Sequence, residues 1–145
     1  MVPEIFATLT SGIFAGAALY INFVEQPARL SCGVHLAVTE WRRSYKRGTL
    51  MQAPLALIGS LSALISWWFD RRLGWLIGGL LLLLVIPLTL VVILPTNKRL
   101  QSQELDLKSE EAVRLLQRWG RLHAVRSFLS AVAFLVFLFT LIAHK

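Results

Sequence analysis

The sequence predicts an all-α fold: an integral membrane four-helix bundle that forms a single membrane domain over residues 1–145. Two observations lead to this fold class. Hydrophobic residues make up 56% of the chain, and its mean hydropathy is +0.63. Four long stretches also contain no charged residue, at residues 5–24, 48–69, 73–96 and 127–143. Because the hydrocarbon core of a bilayer takes about 20 apolar residues in a helix, each stretch is long enough, or nearly so, to cross it.

The four stretches are predicted to be helices. Inside lipid, only a helix or a closed barrel satisfies every backbone hydrogen bond. None of the four shows the alternation of apolar and polar residues that is typical of a barrel strand. We therefore place four transmembrane helices, in chain order, at about residues 4–24, 50–69, 73–95 and 121–143.

The basic residues predict the orientation of the bundle. Four crossings put both termini on one side of the membrane and two larger loops on the other. The two loops carry eleven basic residues: Arg29, Arg42, Arg43, Lys46, Arg47, Lys98, Arg99, Lys108, Arg114, Arg118 and Arg121. The side with the termini carries three, which are Arg71, Arg72 and Lys145. Since cytoplasmic loops are enriched in basic residues, we expect a multi-pass protein of the cell membrane, with both loops cytoplasmic and the N- and C-termini outside.

Both loops are predicted to contain helical structure. In the first cytoplasmic loop, apolar residues recur at helical spacing beside the basic ones, which predicts an amphipathic interfacial segment. These apolar residues are Val34, Val38, Trp41 and Tyr45. In the second loop, Ser109 is a typical N-cap, and Glu110 and Glu111 suit the positive end of a helix dipole. The fourth helix is therefore predicted to have a cytoplasmic extension that continues into the membrane.

The charge and the cysteine content exclude several classes of function. The net charge is +7, but the basic residues flank the apolar segments, where they match membrane lipids rather than nucleic acid. The single cysteine, Cys32, excludes an internal disulfide and a two-cysteine redox centre. A metal site is the weaker candidate, since the metal-binding residue types form no pair at i, i+4 spacing. Those on the cytoplasmic side are Glu25, Cys32, His35 and His123.

Small residues in the first two apolar segments predict close helix packing. The first segment contains Gly12 and Gly16 at the GxxxG spacing that allows two helices to approach closely. The second contains Ala56, Gly59 and Ala63 at related spacing. Packing within the chain is the favoured interpretation of Gly12 and Gly16, and a homo-oligomer formed through them is the alternative.

Polar residues are concentrated at one end of the predicted bundle. All four helices carry them at the end next to the basic loops, and the opposite half has almost nothing comparable. The catalytic candidates are Glu25, His123 and Arg126, and the substrate-binding candidates are Tyr20, Asn22, Arg47, Gln52, Asn97 and Trp119. Since four helices contribute at one depth, we expect a polar pocket there that binds a hydrophobic small molecule.

The fourth helix carries the residues best suited to catalysis. His123 and Arg126 lie on one helical face. Arg126 is suited to bind an anionic or enolate oxygen, and His123 is suited to act as a general base. Glu25 either neutralises Arg126 or orients His123. The amides of Gln52 and Asn97 offer neutral donors and acceptors to a carbonyl group.

Each of these residues also has a structural interpretation. A charge at membrane depth costs about 3 kcal/mol on insertion scales, and Arg126 avoids this cost if its side chain reaches back to the headgroups. His123 and Trp119 fit as interfacial anchors. Asn97 fits as a helix C-cap, and Glu25 fits as a structural counter-ion. The pocket is favoured over these alternatives because the residues occur together at one depth.

Four motifs resemble those of a known family and occur in its order. They are GAALYINFVEQPARL, WRRSYKRGTLMQAPLALIG, LPTNKRL and LLQRWGRLHAVRSFLS. On these motifs the chain resembles the anthrone-oxygenase-like family of small four-helix membrane proteins. Most members have no known function. Those of polyketide pathways oxidise anthrones to anthraquinones with molecular oxygen and with no identified cofactor.

The resemblance implies which residues serve the chemistry of the family. It points to Glu25, Pro27, Arg29, Arg47, Gln52, Asn97, Trp119, His123 and Arg126. The chain departs from the family pattern at Gln26, where a histidine often precedes the proline. If that histidine is a base or a ligand in other members, Gln26 cannot take the same role here.

Two functions follow from the residues and the resemblance together. The first is a cofactor-independent oxygenase or oxidoreductase that acts on a flat, apolar aromatic substrate of the anthrone or quinone kind, with molecular oxygen as co-substrate. The alternative is a non-catalytic membrane protein that binds a lipid or a quinone-like ligand, or that is a small subunit of a membrane complex.

Overall fold

The structure is a computed structural model that describes residues 1–143, so Lys145, one of the basic residues counted beside the termini, lies outside the described residues. Within residues 1–143 every regular element is a helix. The α-helices are α1 (Val2–Tyr20), α2 (Gln26–Ser31), α3 (Val34–Asp70), α4 (Leu73–Pro87), α5 (Leu94–Gln101) and α6 (Glu110–Ile142). Two π-helical turns, Ile21–Glu25 and Leu88–Ile93, join α1 to α2 and α4 to α5.

Four helical segments are long and apolar enough to cross a membrane: Val2–Ser31, Val34–Asp70, Leu73–Gln101 and Glu110–Ile142. The predicted all-α, four-helix membrane fold is therefore confirmed. The shortest segment has 29 residues. At about 1.5 Å per residue, each segment is longer than a hydrocarbon core of about 30 Å. The predicted bilayer positions along these segments stay predictions.

The four segments form a ring in which each packs against two neighbours. α1 and α4 each pack along both α3 and α6. Glycines bring the helices close together. At Gly78 of α4, a Cβ atom would lie 2.4 Å from the ring of Phe137 on α6, so glycine is required at this crossing. Phe14, Leu82 and Phe137 are fully buried in the core between the helices.

The two glycines of the predicted GxxxG motif have different surroundings. A Cβ atom at Gly12 would lie 2.9 Å from the ring of Phe134, so Gly12 takes part in a contact within the chain. A Cβ atom at Gly16 would meet no described atom within 4 Å. Packing within the chain, the favoured interpretation, thus applies to Gly12. A homo-oligomer through the exposed Gly16 stays a prediction.

The predicted amphipathic segment of the first loop is the N-terminal part of α3. Its apolar face is present, and Val38 and Trp41 are buried there. They belong to a second hydrophobic cluster, together with Leu100 of α5 and Leu116 of α6. A helix with an apolar stripe buries it against the nearest apolar partner. Here the partners are α5 and α6, so this face contacts protein instead of lying on the headgroups.

The last helix begins well before its apolar part, as predicted. The Ser109 side chain accepts a hydrogen bond from the backbone N–H of Ala112 at 3.2 Å, which caps α6. Glu111 in the first turn forms an ion pair with Arg99 of α5, with 2.6 Å between Oε1 and Nε. The extension therefore links α6 to α5. It lies at the end of the bundle that holds the α2–α3 turn and residues 102–109, which we call the polar end.

Candidate functional site

A cavity of about 760 Å³ lies at the polar end and is lined by all four helical segments. Eight of the nine predicted site residues line it: Tyr20, Glu25, Arg47, Gln52, Asn97, Trp119, His123 and Arg126. The ninth, Asn22, contacts His123 through its side chain. The fold thus brings the predicted residues together, and the binding of a ligand by them stays a prediction.

Arg126 lines this cavity from α6. Its guanidinium donates a hydrogen bond to Oε1 of Gln52 on α3. Its Cζ atom lies 4.9 Å from the centre of the Phe14 ring on α1, a cation–π contact. The expected neutralisation of Arg126 by Glu25 is wrong, because the Glu25 carboxylate pairs with Arg29, four residues further along the same helical segment.

Four buried polar atoms of cavity-lining residues have no hydrogen-bond partner among the described residues. They are Nε of Arg126, Nε2 of Gln52, Nε1 of Trp41 and Oδ1 of Asn97. A buried polar group without a partner costs about 1–3 kcal/mol, and most such groups in proteins are paired. Three of the four atoms are N–H donors. Residues that line the cavity therefore carry buried N–H donors that no described atom uses.

His123 is held in a defined orientation by the turn after α1. Its Nδ1 atom lies 2.8 Å from Oδ1 of Asn22, whose Nδ2 donates to the carbonyl oxygen of Gly120 at 3.1 Å. Since this second bond directs the Asn22 oxygen toward the ring, Oδ1 accepts and Nδ1 carries the proton. In the neutral imidazole, Nε2 then has the lone pair that a general base requires.

Aromatic side chains form a wall beside His123. The ring centres of Trp119 and His123 are 4.8 Å apart. Trp41 packs edge-on against Trp119 at 5.7 Å and stacks on Tyr45 at 5.0 Å. All four residues line the cavity. Because aromatic rings attract one another in stacked and edge-on arrangements, this aromatic wall suits a flat aromatic ligand.

Arg29 packs against the aromatic wall and supports it. Its side chain is 2% exposed and pairs with the carboxylates of Glu25 and Glu40. It donates to Oε1 of Gln26 at 2.8 Å, and its Cζ atom lies 5.7 Å from the centre of the Trp119 ring. Since Glu40 belongs to α3 and Trp119 to α6, Arg29 joins three helices at the polar end.

The sequence from α3 to α6 matches a known protein family. Residues 41–136 match the profile of the family described as anthrone oxygenase, which is more than half of the chain. The chain belongs to the anthrone oxygenase family. The predicted family is thus confirmed, over a range that contains three of the four motifs; the first motif, residues 16–30, lies before it. The matched range contains six of the nine site residues: Arg47, Gln52, Asn97, Trp119, His123 and Arg126. No curated protein and no solved structure matches the chain.

Gln26, the position at which the resemblance implies a departure from the family pattern, lies before the matched range and is not among the residues that line the cavity. Its amide nitrogen donates to the carbonyl oxygen of Leu116 at 3.0 Å, and its amide oxygen accepts from Arg29 at 2.8 Å. Gln26 is 5% exposed, and its hydrogen bonds link α2 to α6. In this member of the family, position 26 supports the aromatic wall from behind.

Sequence reasoning assigns no role in the site to several residues that shape it. The Ser127 hydroxyl bonds to the Asn22 oxygen that also contacts His123. Ser127 follows His123 by four residues, so helical spacing alone predicts that the two side chains lie next to each other. Glu40 pairs with Arg29 across the α2–α3 turn. No helical spacing indicates that contact, because it depends on the path of the chain through the turn.

Metal-binding residue types are scattered in the part of the chain that the structure describes. Across residues 1–143, no group of three or more His, Cys, Asp or Glu side chains is placed to hold a metal ion. Cys32 is exposed in the turn between α2 and α3, and His35 is exposed in the first turn of α3. Neither residue is among those that line the cavity.

Proposed function

We propose that the protein is a cofactor-independent oxygenase that acts on a flat, apolar aromatic ketone of the anthrone or quinone kind, with molecular oxygen as co-substrate. One observation supports this most directly. His123, with its tautomer set by Asn22, lines the same cavity as Arg126 and Gln52, which have unpartnered donors. A general base and an oxyanion-binding group are the two parts that proton abstraction near a carbonyl requires.

His123 is the base in this mechanism. Nε2 takes a proton from the methylene carbon that lies across the ring from the ketone. The electron pair of the broken C–H bond moves through the ring system onto the ketone oxygen. The Arg126 guanidinium and the Gln52 amide donate hydrogen bonds to the resulting enolate oxygen. Donors already fixed away from water stabilise this charge without having to reorganise.

Molecular oxygen is the oxidant in the second half of the reaction. The electron-rich carbon gives electrons to O₂ and forms a C–O bond, and the proton held by His123 passes to the outer oxygen to give a hydroperoxide. Loss of water then breaks the O–O bond and leaves a second carbonyl group. In total, one CH₂ group and one O₂ become one C=O group and one water. The oxygen molecule gains the four electrons that the carbon loses.

The aromatic wall supports the choice of a flat substrate. The rings of Trp119 and His123 are tilted by 32° to each other, with 4.8 Å between their centres. A planar ring system placed beside Trp119 would therefore also lie near the imidazole. Holding a reacting carbon near the base in this way lowers the entropic part of the barrier.

Turnover of anthrone tests the proposal. Protein in lipid nanodiscs is expected to convert anthrone to anthraquinone faster than empty nanodiscs do, as followed by absorbance and by oxygen uptake. His123→Ala should reduce the rate by about 10²–10⁴, and Arg126→Gln by about 10²–10³. His35→Ala removes an exposed histidine that does not line the cavity and should leave the rate unchanged. Normal turnover in a folded His123→Ala variant would remove this histidine from the mechanism.

Binding without chemistry is the second candidate function. The observation that favours it is a group of exposed basic residues that line the cavity: Arg43, Lys46 and Arg47. Such a group also suits the headgroup of a lipid or quinone-like ligand. Native mass spectrometry would favour this function if a discrete ligand mass is present in wild type and lost in Arg126→Ala, with no anthrone turnover. A bare chain in both proteins would favour a small subunit of a membrane complex.

A further inference from the structure

The cavity has exposed lining residues on both α1 and α3, two helices that pack against each other. Two of its lining residues are largely exposed there, Tyr20 at 57% and Met51 at 48%. Gly48 lines the same side, and a Cβ atom at this position would meet no described atom within 4 Å. Tyr20 and Met51 fall within the predicted transmembrane spans. We take the gap between these exposed residues to be an opening toward the bilayer, and we call it the side entrance.

The rim of the side entrance carries an excess of positive charge. Six basic and two acidic side chains line the cavity. Both acids, Glu25 and Glu40, are paired with Arg29. Arg42 donates to the backbone carbonyls of Leu100 and Ser102 at the end of α5. Three exposed cations remain that form no ion pair within residues 1–143: Arg43, Lys46 and Arg47.

Two of the residues that line the cavity carry buried donors that have no acceptor. Nε of Arg126 and Nε2 of Gln52 are buried and unpartnered among the described residues. Gln52 is only 2% exposed, so water reaches its amide poorly. Apolar side chains complete the lining, among them Ile21 and Ile93. The residues that line the cavity therefore provide a rim with net positive charge, apolar side chains and buried donors.

We infer that the side entrance admits amphipathic anions from the bilayer, meaning molecules with an apolar body and an anionic oxygen group. Lys46 and Arg47 hold the anionic group at the level of the headgroups, while the apolar body enters between Tyr20 and Met51. The inference rests on the proposed function only in taking this cavity as the ligand site. Two kinds of molecule have this chemistry, an acidic aromatic substrate and an anionic phospholipid.

Binding of a fluorescent aromatic acid tests the selection of charge. Anthracene-2-carboxylate and its neutral carboxamide are titrated onto the protein in phosphatidylcholine nanodiscs, with anthracene emission as the readout and empty nanodiscs as the correction for partitioning. The acid should bind about tenfold tighter than the amide, as expected for cations near a membrane surface. Lys46→Gln combined with Arg47→Gln should abolish this preference. Arg118→Gln combined with Arg121→Gln removes two exposed basic residues outside this cavity and should preserve it.

Gly48→Trp tests the route of entry. The position has room for a side chain, and replacing glycine inside a helix does not lower helix propensity. The added indole should obstruct the opening. Association of the acid, measured by stopped flow, should therefore slow about tenfold or more. Gly16→Trp is the matched control, since Gly16 also has room for a Cβ atom but does not line the cavity. Equal association rates in the two variants overturn the side entrance.

Phosphatidylglycerol distinguishes the two sources of the anion. If anionic phospholipid also enters, replacing part of the phosphatidylcholine with phosphatidylglycerol weakens binding of the acid to wild type; if only aromatic acids enter, the affinity stays the same. Equal affinities for acid and amide, or a preference that survives the loss of Lys46 and Arg47, overturn the inference. Charge selection without anthrone turnover overturns the proposed function alone, and turnover without charge selection overturns this inference alone.

Discussion

Nδ1 of His123 lies 2.8 Å from Oδ1 of Asn22, and this contact joins α6 to the π-helical turn Ile21–Glu25. The second π-helical turn, Leu88–Ile93, lies shortly before Asn97. Each turn is followed directly by a short helix whose second residue is proline. π-Helical turns occur frequently at functional sites, because they shift the helical register and re-aim the side chains that follow. Both turns here help to shape the polar end.

Asn22→Ala is expected to lower the kcat of anthrone turnover about tenfold, less than the loss of the base itself, because only the orientation of His123 is lost. KM should stay nearly unchanged, since Asn22 is not among the cavity-lining residues. Steady-state kinetics in nanodiscs separate the two constants. Gln117→Ala removes an exposed amide of α6 and serves as the control. A change in KM with constant kcat would mean that Asn22 contacts the substrate and does not position the base.

Arg29→Met is expected to destabilise the bundle by about 2 kcal/mol. Breaking a buried ion pair costs about 3–5 kcal/mol, but Glu25 and Glu40 have side chains that are 28% and 49% exposed, so water compensates part of the loss. Unfolding by SDS in mixed micelles, followed by tryptophan fluorescence, measures the change.

The control for Arg29→Met is Arg114→Met. Arg114 pairs with Glu110 at the surface, where the two side chains are 71% and 92% exposed. Such a pair is worth about 0.5 kcal/mol or less. If both variants lose the same stability, the contacts of Arg29 with the aromatic wall contribute nothing measurable.

The fold is predictable from the positions of the charges, because a bilayer excludes unpaired charge from about 20 residues of each crossing. The same reasoning predicts the polar end. Gln52, Asn97 and His123 each lie close to one end of a charge-free stretch, and four antiparallel crossings bring those ends together. Counting residues from the ends of the helices is enough to place these side chains at one depth.

The pairings inside the site are not predictable in this way, because they depend on how each helix is rotated. Asn22 and His123 are 101 positions apart in the sequence, and the π-helical turn changes the face on which Asn22 lies. The pair of Glu25 and Arg29 has the i, i+4 spacing that a helix favours. A contact between Glu25 and Arg126 requires a particular rotation of two helices relative to each other. The sequence does not specify this rotation, and the predicted contact is wrong.

Gly78→Ala is expected to destabilise the bundle by about 1–3 kcal/mol through overpacking. The added Cβ atom would lie 2.4 Å from the ring of Phe137. This ring is fully buried and stacks on Trp75 with 5.6 Å between centres, so it has little space to move. In Gly16→Ala the new methyl group meets no described atom, and better helix propensity should stabilise the protein by about 0.5–1 kcal/mol. SDS unfolding of both variants checks the prediction, and equal changes would argue against the close crossing of α4 and α6.

Cys32 allows the orientation of the polar end to be measured with the natural sequence. It is the only cysteine in the chain and is exposed in the turn between α2 and α3. Because basic residues favour the cytoplasmic side, we expect this turn to lie in the cytoplasm. A membrane-impermeant maleimide should therefore leave Cys32 unlabelled in intact cells and label it in inside-out vesicles.

A second cysteine position makes the orientation experiment decisive. Cys32→Ser combined with Leu73→Cys moves the thiol to the first residue of α4, which is 66% exposed at the opposite end of the bundle. This variant should be labelled in intact cells and protected in inside-out vesicles. Labelling of Cys32 itself in intact cells would put the basic loops outside. The cationic side entrance would then draw its ligands from the outer leaflet, where anionic lipids are fewer and the positive rim has less competition for an acidic substrate.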